Sequence, residues 1–282
     1  MEVVFLRAKV FNKESFFISQ IENKHIGDDG VIIGDNVYSK DLFCEGIHFK
    51  RSWMSLRDIA SKSMLVNISD AIAMNATPKY ALLGLKIPKN FNKNDLEELW
   101  AGFSTTSQKY SIEIIGGDTI VGNTLDISIT IISTSKSPIY RDNIKQGQLL
   151  AYTGTLGSVQ KDLKRLFQNK EISKTSKFIT PILRQEFMQK ASKYISSCMD
   201  ISDGLCHELQ RLSKANKISY KFIKNLNNNT LSSGEEYELV FSFDKKYLKI
   251  IKNISKKTKT PITIFAKAKR GSYKHKFKNH HI

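Results

Sequence analysis

Gly27-Asp28-Asp29-Gly30-Val31-Ile32-Ile33-Gly34-Asp35-Asn36-Val37-Tyr38-Ser39-Lys40-Asp41 is the stretch on which the fold turns, and Glu45-Gly46-Ile47-His48-Phe49 closes it. Two short β-type runs joined by Gly-Asp-Asn read as a hairpin. Its acids sit at the start and far end, so strand pairing brings Asp28 or Asp29 close to Asp41. Neighbouring carboxylates repel, and burying them is costly unless the charge is compensated. A hard cation with oxygen ligands would compensate it. The plain alternative is a pair of solvated turn aspartates. Acid-bearing turns of the same kind recur downstream, and the recurrence favours the cation.

Working outward, 282 residues exceed one typical domain, and two units of roughly 130 to 150 residues are expected. The boundary falls where Ser, Pro, Lys and Gly cluster, between Ser133 and Gln148, giving residues 1–135 and 136–282. Hydrophobic residues at 40% and charged ones at 25% fit a globular chain. Cys44, Cys198 and Cys206 make no pairing or Cys-x-x-Cys pattern, which suits a reducing interior. Met1-Glu2-Val3-Val4-Phe5 lacks the basic-then-apolar layout of a signal peptide, and no apolar run approaches a membrane span. The reading is cytoplasmic, with no membrane partner. The formal charge of +17 (44 basic minus 27 acidic) invites a nucleic-acid partner. Yet the basic residues are mostly Lys, spread along the chain and densest from Lys245 to Lys278, with no recognition motif. Lysine is the weaker choice for planar phosphate and base contacts. A solvated basic surface that attracts anionic substrates is the expectation.

Period and punctuation predict helices over Lys13–Lys24, Leu56–Ala76, Val159–Phe167, Pro181–Ser196, Leu205–Asn216 and Lys246–Ser255. Another helix begins near Asn94, with Glu97 in capping-box position and Leu96, Leu99, Trp100 and Phe103 as its apolar stripe. Strands are predicted over Tyr80–Ile87, Ile112–Ile115, Leu125–Ser133, Leu149–Thr153, Ile218–Ile223, Glu238–Phe243 and Pro261–Phe265. Strands and helices alternate in both halves, so the fold class is α/β (α+β) in two domains.

Five acidic segments carry the chemistry: Asp28-Asp29, Asp41, Asn67-Ile68-Ser69-Asp70, Gly116-Gly117-Asp118-Thr119 and Asp200-Ile201-Ser202-Asp203-Gly204. Asp70 is the most telling, because it interrupts an otherwise apolar helix pattern, where an uncompensated acid is costly. Asp118 in a Gly-Gly-Asp turn, and Asp200 and Asp203 as helix caps, have ordinary structural readings as well. Together they favour a multi-carboxylate site. Without histidine or thiol ligand clusters such a site suits Mg²⁺ rather than zinc, and carboxylate-held Mg²⁺ usually serves a polyphosphate. No Gly-x-x-x-x-Gly-Lys-Ser/Thr loop or protein-kinase signature is present. A nucleotide would therefore be held by metal ions, backbone amides and isolated side chains. His48 reads either as an acid/base or phosphate ligand or as a structural histidine.

In this order, Gly-Asp-Asp, Ser-x-Asp-x-x-x-Glu-Gly-x-His-Phe, Asn-x-Ser-Asp-x-x-Ala-Met-x-Ala, Gly-Gly-Asp-Thr, Asp-x-Ser-Asp-Gly-Leu and Gly-Glu-x-Tyr-Glu-Leu resemble the thiamine-monophosphate kinase family. That family belongs to the superfamily of aminoimidazole ribonucleotide synthetase. The match runs from about Gly27 to Leu239. The resemblance implies an N-terminal α/β domain whose sheets pair across a homodimer, and a C-terminal α/β domain. It implies transfer of the ATP γ-phosphoryl group to thiamine monophosphate, with charge neutralisation and in-line positioning supplying most of the catalysis. By resemblance, Asp28, Asp41, Asp70, Asp118, Asp200 and Asp203 hold several Mg²⁺ ions, Asp28 rather than Asp29 being the ligand of its pair. Asp41, Asp118 and Asp203 stand closest to the chemistry. Asp28, Gly117, Arg141 and Ser202 face ATP. His48, Glu235 and Tyr273 face thiamine monophosphate, Tyr273 by stacking beneath the cationic thiazolium.

Three departures from the family pattern stand out. Lys40 occupies a position where the family usually carries Thr, which suggests a lost hydroxyl ligand beside the metals. Glu236 replaces the usual Asp, and the stretch from Ser158 to Met199 is short. Other reactions of the superfamily remain alternatives: aminoimidazole ribonucleotide synthetase, selenophosphate synthetase and the hydrogenase-maturation dehydratase. The last two would call for a reactive cysteine near a Gly-rich N-terminal segment or at the C-terminus. A lysine-rich nucleic-acid-binding protein, from another class, leaves the acidic segments unexplained.

Overall fold

Alternating burial along the hairpin sets the first sheet. In the computed structural model, which describes residues 13–23 and 25–277, β1 (Val31–Ile33) pairs antiparallel with β2 (Asn36–Cys44), Val31 opposite Tyr38. The turn between them passes through Gly34 at φ +61°, where a side chain would be strained. Along β2, Val37, Ser39 and Phe43 are buried while Lys40 and Leu42 point out. The Met1–Phe5 reading and the last basic residue at 278 lie outside the described residues.

The sheet continues through β5 (Asp126–Thr134), β3 (Thr77–Pro88) and β4 (Glu113–Gly122), in the order β1-β2-β5-β3-β4. Only β3 and β4 run parallel, and such a pair needs a crossover. Here it is a helix, Lys93–Tyr110, which counts as α3 after α1 (Lys13–Ser19) and α2 (Leu56–Ala73). Its capping box lies two residues earlier than the expected Asn94 and Glu97. Asn92 Oδ1 accepts from the Asn94 and Asp95 N–H groups, and Asp95 answers the Asn92 N–H. The Gly-Gly-Asp-Thr segment is also corrected. It is no turn but the middle of β4, the sheet's edge strand, and a Cβ at Gly117 would overlap the Leu83 carbonyl on β3.

The second sheet has the order β7-β9-β6-β10-β8 and is antiparallel throughout, from β6 (Leu149–Thr153), β7 (Ile195–Asp200), β8 (Ile218–Phe222), β9 (Leu239–Phe243) and β10 (Ile262–Arg270). Around it lie α4 (Ser158–Phe167), α5 (Gln185–Ala191), α6 (Leu205–Asn216), α7 (Asn228–Ser232) and α8 (Leu248–Lys257). The helix predicted over Pro181–Ser196 is only α5 and one 3-10 turn. Ile195 and Ser196 already belong to β7, because Ile195–Asp200 completes the sheet against β9. The last strand runs on to Arg270 because it pairs with β6 on one side and β8 on the other.

α2 is the layer between the two sheets. One continuous core joins Ile127, Ile129 and Ile131 of the first sheet, Ile59, Met64, Ile68 and Ile72 of α2, and Ala151, Cys198 and Phe241 of the second. The other face of the second sheet packs Leu150, Met199 and Phe265 against Leu205, Leu209 and Leu212 of α6. A helix covered on both sides has no solvated face, so its polar residues must find partners inside the protein. Among the described residues no helix is long and apolar enough to cross a membrane.

Candidate active site

The polar residues of α2 build the site. Asn67 donates to the Ile129 carbonyl (2.8 Å) and accepts from Ser39 Oγ (3.1 Å), which locks α2 onto β2 and β5. Ser69 donates to Asp200 Oδ2 (2.8 Å), which ties α2 to the end of β7 in the second sheet. Between these anchors stands Asp70. Carboxylate oxygens of Asp29, Asp70 and Asp200 lie within 4.8 Å of one another. Asp41 comes from β2 and is in hydrogen-bond contact with Asp70, which for two carboxyls requires a shared proton. Burial pushes Asp41 up to about 6, with the Asp29 charge adding to it. Asp70 and Asp200 are raised well above the ordinary carboxylate value, again by burial first and by the neighbouring acids second.

Among the described residues, Arg141 is the cation bonded into this group. Arg141, from the connection between the sheets, pairs with Asp29 and gives its backbone N–H to Asp28 Oδ1 (2.6 Å). Its carbonyl accepts from Ser197 and Asn216, so the arginine is held from both sides. Asp29 Oδ2 and Arg141 Nε are buried with no hydrogen-bond partner. A lone-pair-bearing oxygen orphaned among three other carboxylates is a site short of positive charge. An all-oxygen donor set of this kind fits a hard divalent cation. Of the Asp28–Asp29 pair, Asp29 is therefore the member in the cluster, and Asp28 orders Arg141.

The remaining expected residues are placed less uniformly. Asp203 is paired with Arg211 of α6 and its N–H goes to Glu208, and it is not one of the three acids, Asp29, Asp70 and Asp200, whose oxygens lie within 4.8 Å of one another. Ser202 is half-buried in the turn below it, and its carbonyl takes the Glu235 N–H at 2.6 Å. His48 stacks on Phe43 and accepts the Cys44 N–H at Nδ1 (3.0 Å), so in the neutral ring the proton sits on Nε2. Glu235 is buried at φ +54° and receives Lys62 Nζ at 2.7 Å. Tyr273 is half-buried, packed edge-on to Tyr220 and beside Phe222, so its ring is part of the α6 side of the second sheet rather than an open platform.

Asp118 is not brought to the acids. Strand register sets Asp41, Ile129, Leu83 and Gly117 in one row, so β4 lies three strand spacings from β2, roughly 14 Å at about 4.8 Å each. The same register turns Asp118 to the face of Gly84 and Ser128, away from α2, where it is exposed.

Lys62 is the residue that sequence reading missed. It is fully buried, 3.9 Å from the Phe178 ring centroid, and it is the cation for Glu235 across the two sheets. The signal was there, since Lys62 interrupts the apolar pattern of α2 as Asp70 does. A second network was missed as well, in which Glu238 takes both Arg184 and Lys177 beneath the Gly154 turn.

The profile of the family described as AIR synthase related protein, N-terminal domain, matches residues 27–134. Thiamine-monophosphate kinase of Buchnera aphidicola subsp. Acyrthosiphon pisum is 32% identical over 84% of this chain and 81% of its own length. That of Leptospira interrogans is 31% identical over 79% and 78%. The chain belongs to the thiamine-monophosphate kinase family. A solved structure described as AaThiL complexed with AMPPCP and TMP has the same fold, with a TM-score of 0.81 at 24% identity, covering 92% of this chain and 90% of that one.

Two departures from the thiamine-monophosphate kinase pattern have structural answers. Lys40 lies on the outer face of β2, donating to Ser128 Oγ at 2.5 Å, while Ser39 and Asp41 face α2. Alternation along the strand thus carries Lys40 away from the acids, and the hydroxyl bonded to them is that of Ser69, on Asp200 Oδ2. Glu236 is fully buried and takes the Gly157 N–H (2.6 Å), Ser233 Oγ (2.7 Å) and Lys177 Nζ (2.7 Å). It orders the loop before α4 and does not face the cluster.

Proposed function

We propose that this protein transfers the γ-phosphoryl group of ATP to the phosphate of thiamine monophosphate, giving thiamine diphosphate, with several Mg²⁺ ions at the acid cluster. The observation that carries the reading is the convergence of Asp29, Asp70 and Asp200, with Asp41 beside them and Asp29 Oδ2 unsatisfied, in a chain of this family. Bound Mg²⁺ supplies the charge neutralisation that two polyanionic reactants need. Asp29, Asp41, Asp70 and Asp200 hold it. Arg141 keeps Asp29 and Asp28 oriented. His48, with its proton on Nε2, would donate to a substrate phosphate, and Glu235, its carboxylate held by Lys62, would meet the thiamine cation.

Residues 1–135 serve as the metal-binding and dimerisation domain, and 136–282 as the second domain. A homodimer is the assembly that supports the outer sheet face, where Leu42, Tyr80, Leu82 and Ile120 are exposed. Pairing these faces with edge strand β4 lying over the partner's β1–β2 edge would carry Asp118 of one protomer past that edge toward the partner's acids. Free thiols and an ATP requirement suit a cytoplasmic enzyme.

The test is chromatography of a reaction containing ATP, Mg²⁺ and thiamine monophosphate, with Asp200→Asn alongside. Thiamine diphosphate from the parent and none from the variant is the expected result. ATP binding without thiamine diphosphate would refute the acceptor and move the other reactions of the superfamily forward.

A further inference from the structure

A second group of ligand-type side chains stands on the other side of the second sheet and goes beyond the proposed kinase reaction. Cys206 and His207 open α6, and His275 comes from the segment that follows β10. Cys206 Sγ and one ring nitrogen from each histidine lie within 4.8 Å of one another. The two imidazole centroids are 4.1 Å apart at 68°. Cys206 is fully buried, and the histidines are half-buried.

Two backbone hydrogen bonds bring the third ligand in. Tyr273 N–H donates to Ser213 Oγ (2.8 Å) and His275 N–H to Gln210 Oε1 (3.4 Å). The segment therefore runs antiparallel along one face of α6, from Ser213 past Gln210 to Cys206 and His207. Tyr273, wedged against Tyr220 and Phe222, fixes its course.

We propose that Cys206, His207 and His275 form a site for a single borderline-soft divalent cation of the Zn²⁺ class, which clamps the C-terminal segment to the start of α6. One thiolate and two imidazoles are a donor set for zinc and disfavour Mg²⁺. Tetrahedral Zn–S and Zn–N bonds of about 2.3 and 2.0 Å put ligand atoms about 3.5 Å apart, so the group needs to close by no more than about 1.3 Å. His275 can supply that movement from its extended segment. Its Nδ1 now accepts the Phe277 N–H (3.1 Å). Ligation at Nδ1 displaces that bond, and ligation at Nε2 moves the ring proton to Nδ1 and breaks it too, so the turn at 275–277 rearranges on binding. The charges facing the thiol are Asp203 and Glu208, both answered by Arg211. Burial holds the free thiol up to about 12, so metal entry expels its proton. The clamp lies three residues from Asp203 in the chain, and it would pin the turn at Ser202–Gly204.

The test uses the full chain with His280→Ala and His281→Ala, which removes neighbouring imidazoles, stripped with a chelator and titrated with Co²⁺. A single equivalent giving tetrahedral visible absorption and a thiolate-to-cobalt band, displaced by Zn²⁺ and indifferent to excess Mg²⁺, is expected. Cys206→Ser should abolish the thiolate band. His275→Ala, a change on a half-buried segment that leaves the core intact by circular dichroism, should weaken binding at least tenfold. Absence of the band in the parent, its survival in Cys206→Ser, or unchanged affinity in His275→Ala would each overturn the proposal.

Discussion

Lys62→Met tests the link between the two sheets directly. The ammonium of Lys62 is fully buried, 2.7 Å from Glu235 Oε2, and the Glu235 side chain is 11% exposed. Burial lowers the Lys62 pKa, and the Glu235 charge is what opposes that shift. Methionine keeps the bulk and the contact with Phe178 but leaves the carboxylate without a cation. Breaking one side of a buried pair costs about 3–5 kcal/mol. With a urea dependence at the upper end for a chain of this size, about 3 kcal/mol per M, the midpoint falls by about 1–1.7 M. The assay is urea unfolding followed by tryptophan fluorescence, with Trp53 near Phe178 as a reporter of this region. Lys62→Met combined with Glu235→Gln removes both charges, and the double variant should return to within about 1.5 kcal/mol of the parent. A single variant that loses under about 1 kcal/mol would refute the reasoning. So would a double variant no more stable than the single one.

Further outcomes follow from other parts of the structure. Without metal, stability should fall as pH rises. Asp41, at about 6, and the raised Asp70 and Asp200 bind more protons folded than unfolded, so their contribution is complete below the ordinary value of 3.8 and is lost through about 6 and above. Mg²⁺ should restore the melting temperature, by more at pH 8 than at pH 6; equal rescue at both values would contradict it. Glu236→Asp, which reinstates the family's usual residue, withdraws the carboxylate from the Gly157 N–H and should cost about 1–3 kcal/mol in denaturant unfolding. Asp118→Asn and Asp200→Asn should each be inactive alone. Unfolded and refolded together in equal amounts they should regain about a quarter of parental activity, since half the dimers are mixed and each has one intact site. No recovery would place Asp118 outside the partner's site.

Much of the fold was legible because local patterns carry it. Period-2 burial in Val37–Phe43 and helix period over Leu205–Asn216 are set by neighbours in the chain. Misplaced elements are those where the sheet decides. Ile195–Asp200 has no strong preference of its own and becomes a strand because β9 offers it a partner. Gly116–Thr119 looks like a turn and is a strand because the Gly117 backbone must approach Leu83 closely.

By itself the sequence determined the family, the two α/β halves and the acids available for chemistry, since these rest on residue identity and order. Only the tertiary structure decided which acids meet. Asp29 rather than Asp28 joins Asp70 and Asp200, Asp118 is turned to the far face, and Lys40 points away from the site its neighbours line. Lys62 finds Glu235 across 173 positions, and Cys206 finds His275 beside α6. Such pairings depend on strand register and on the packing of one helix between two sheets. Shifting a strand by one residue reverses every side chain on it, and no local pattern records that choice.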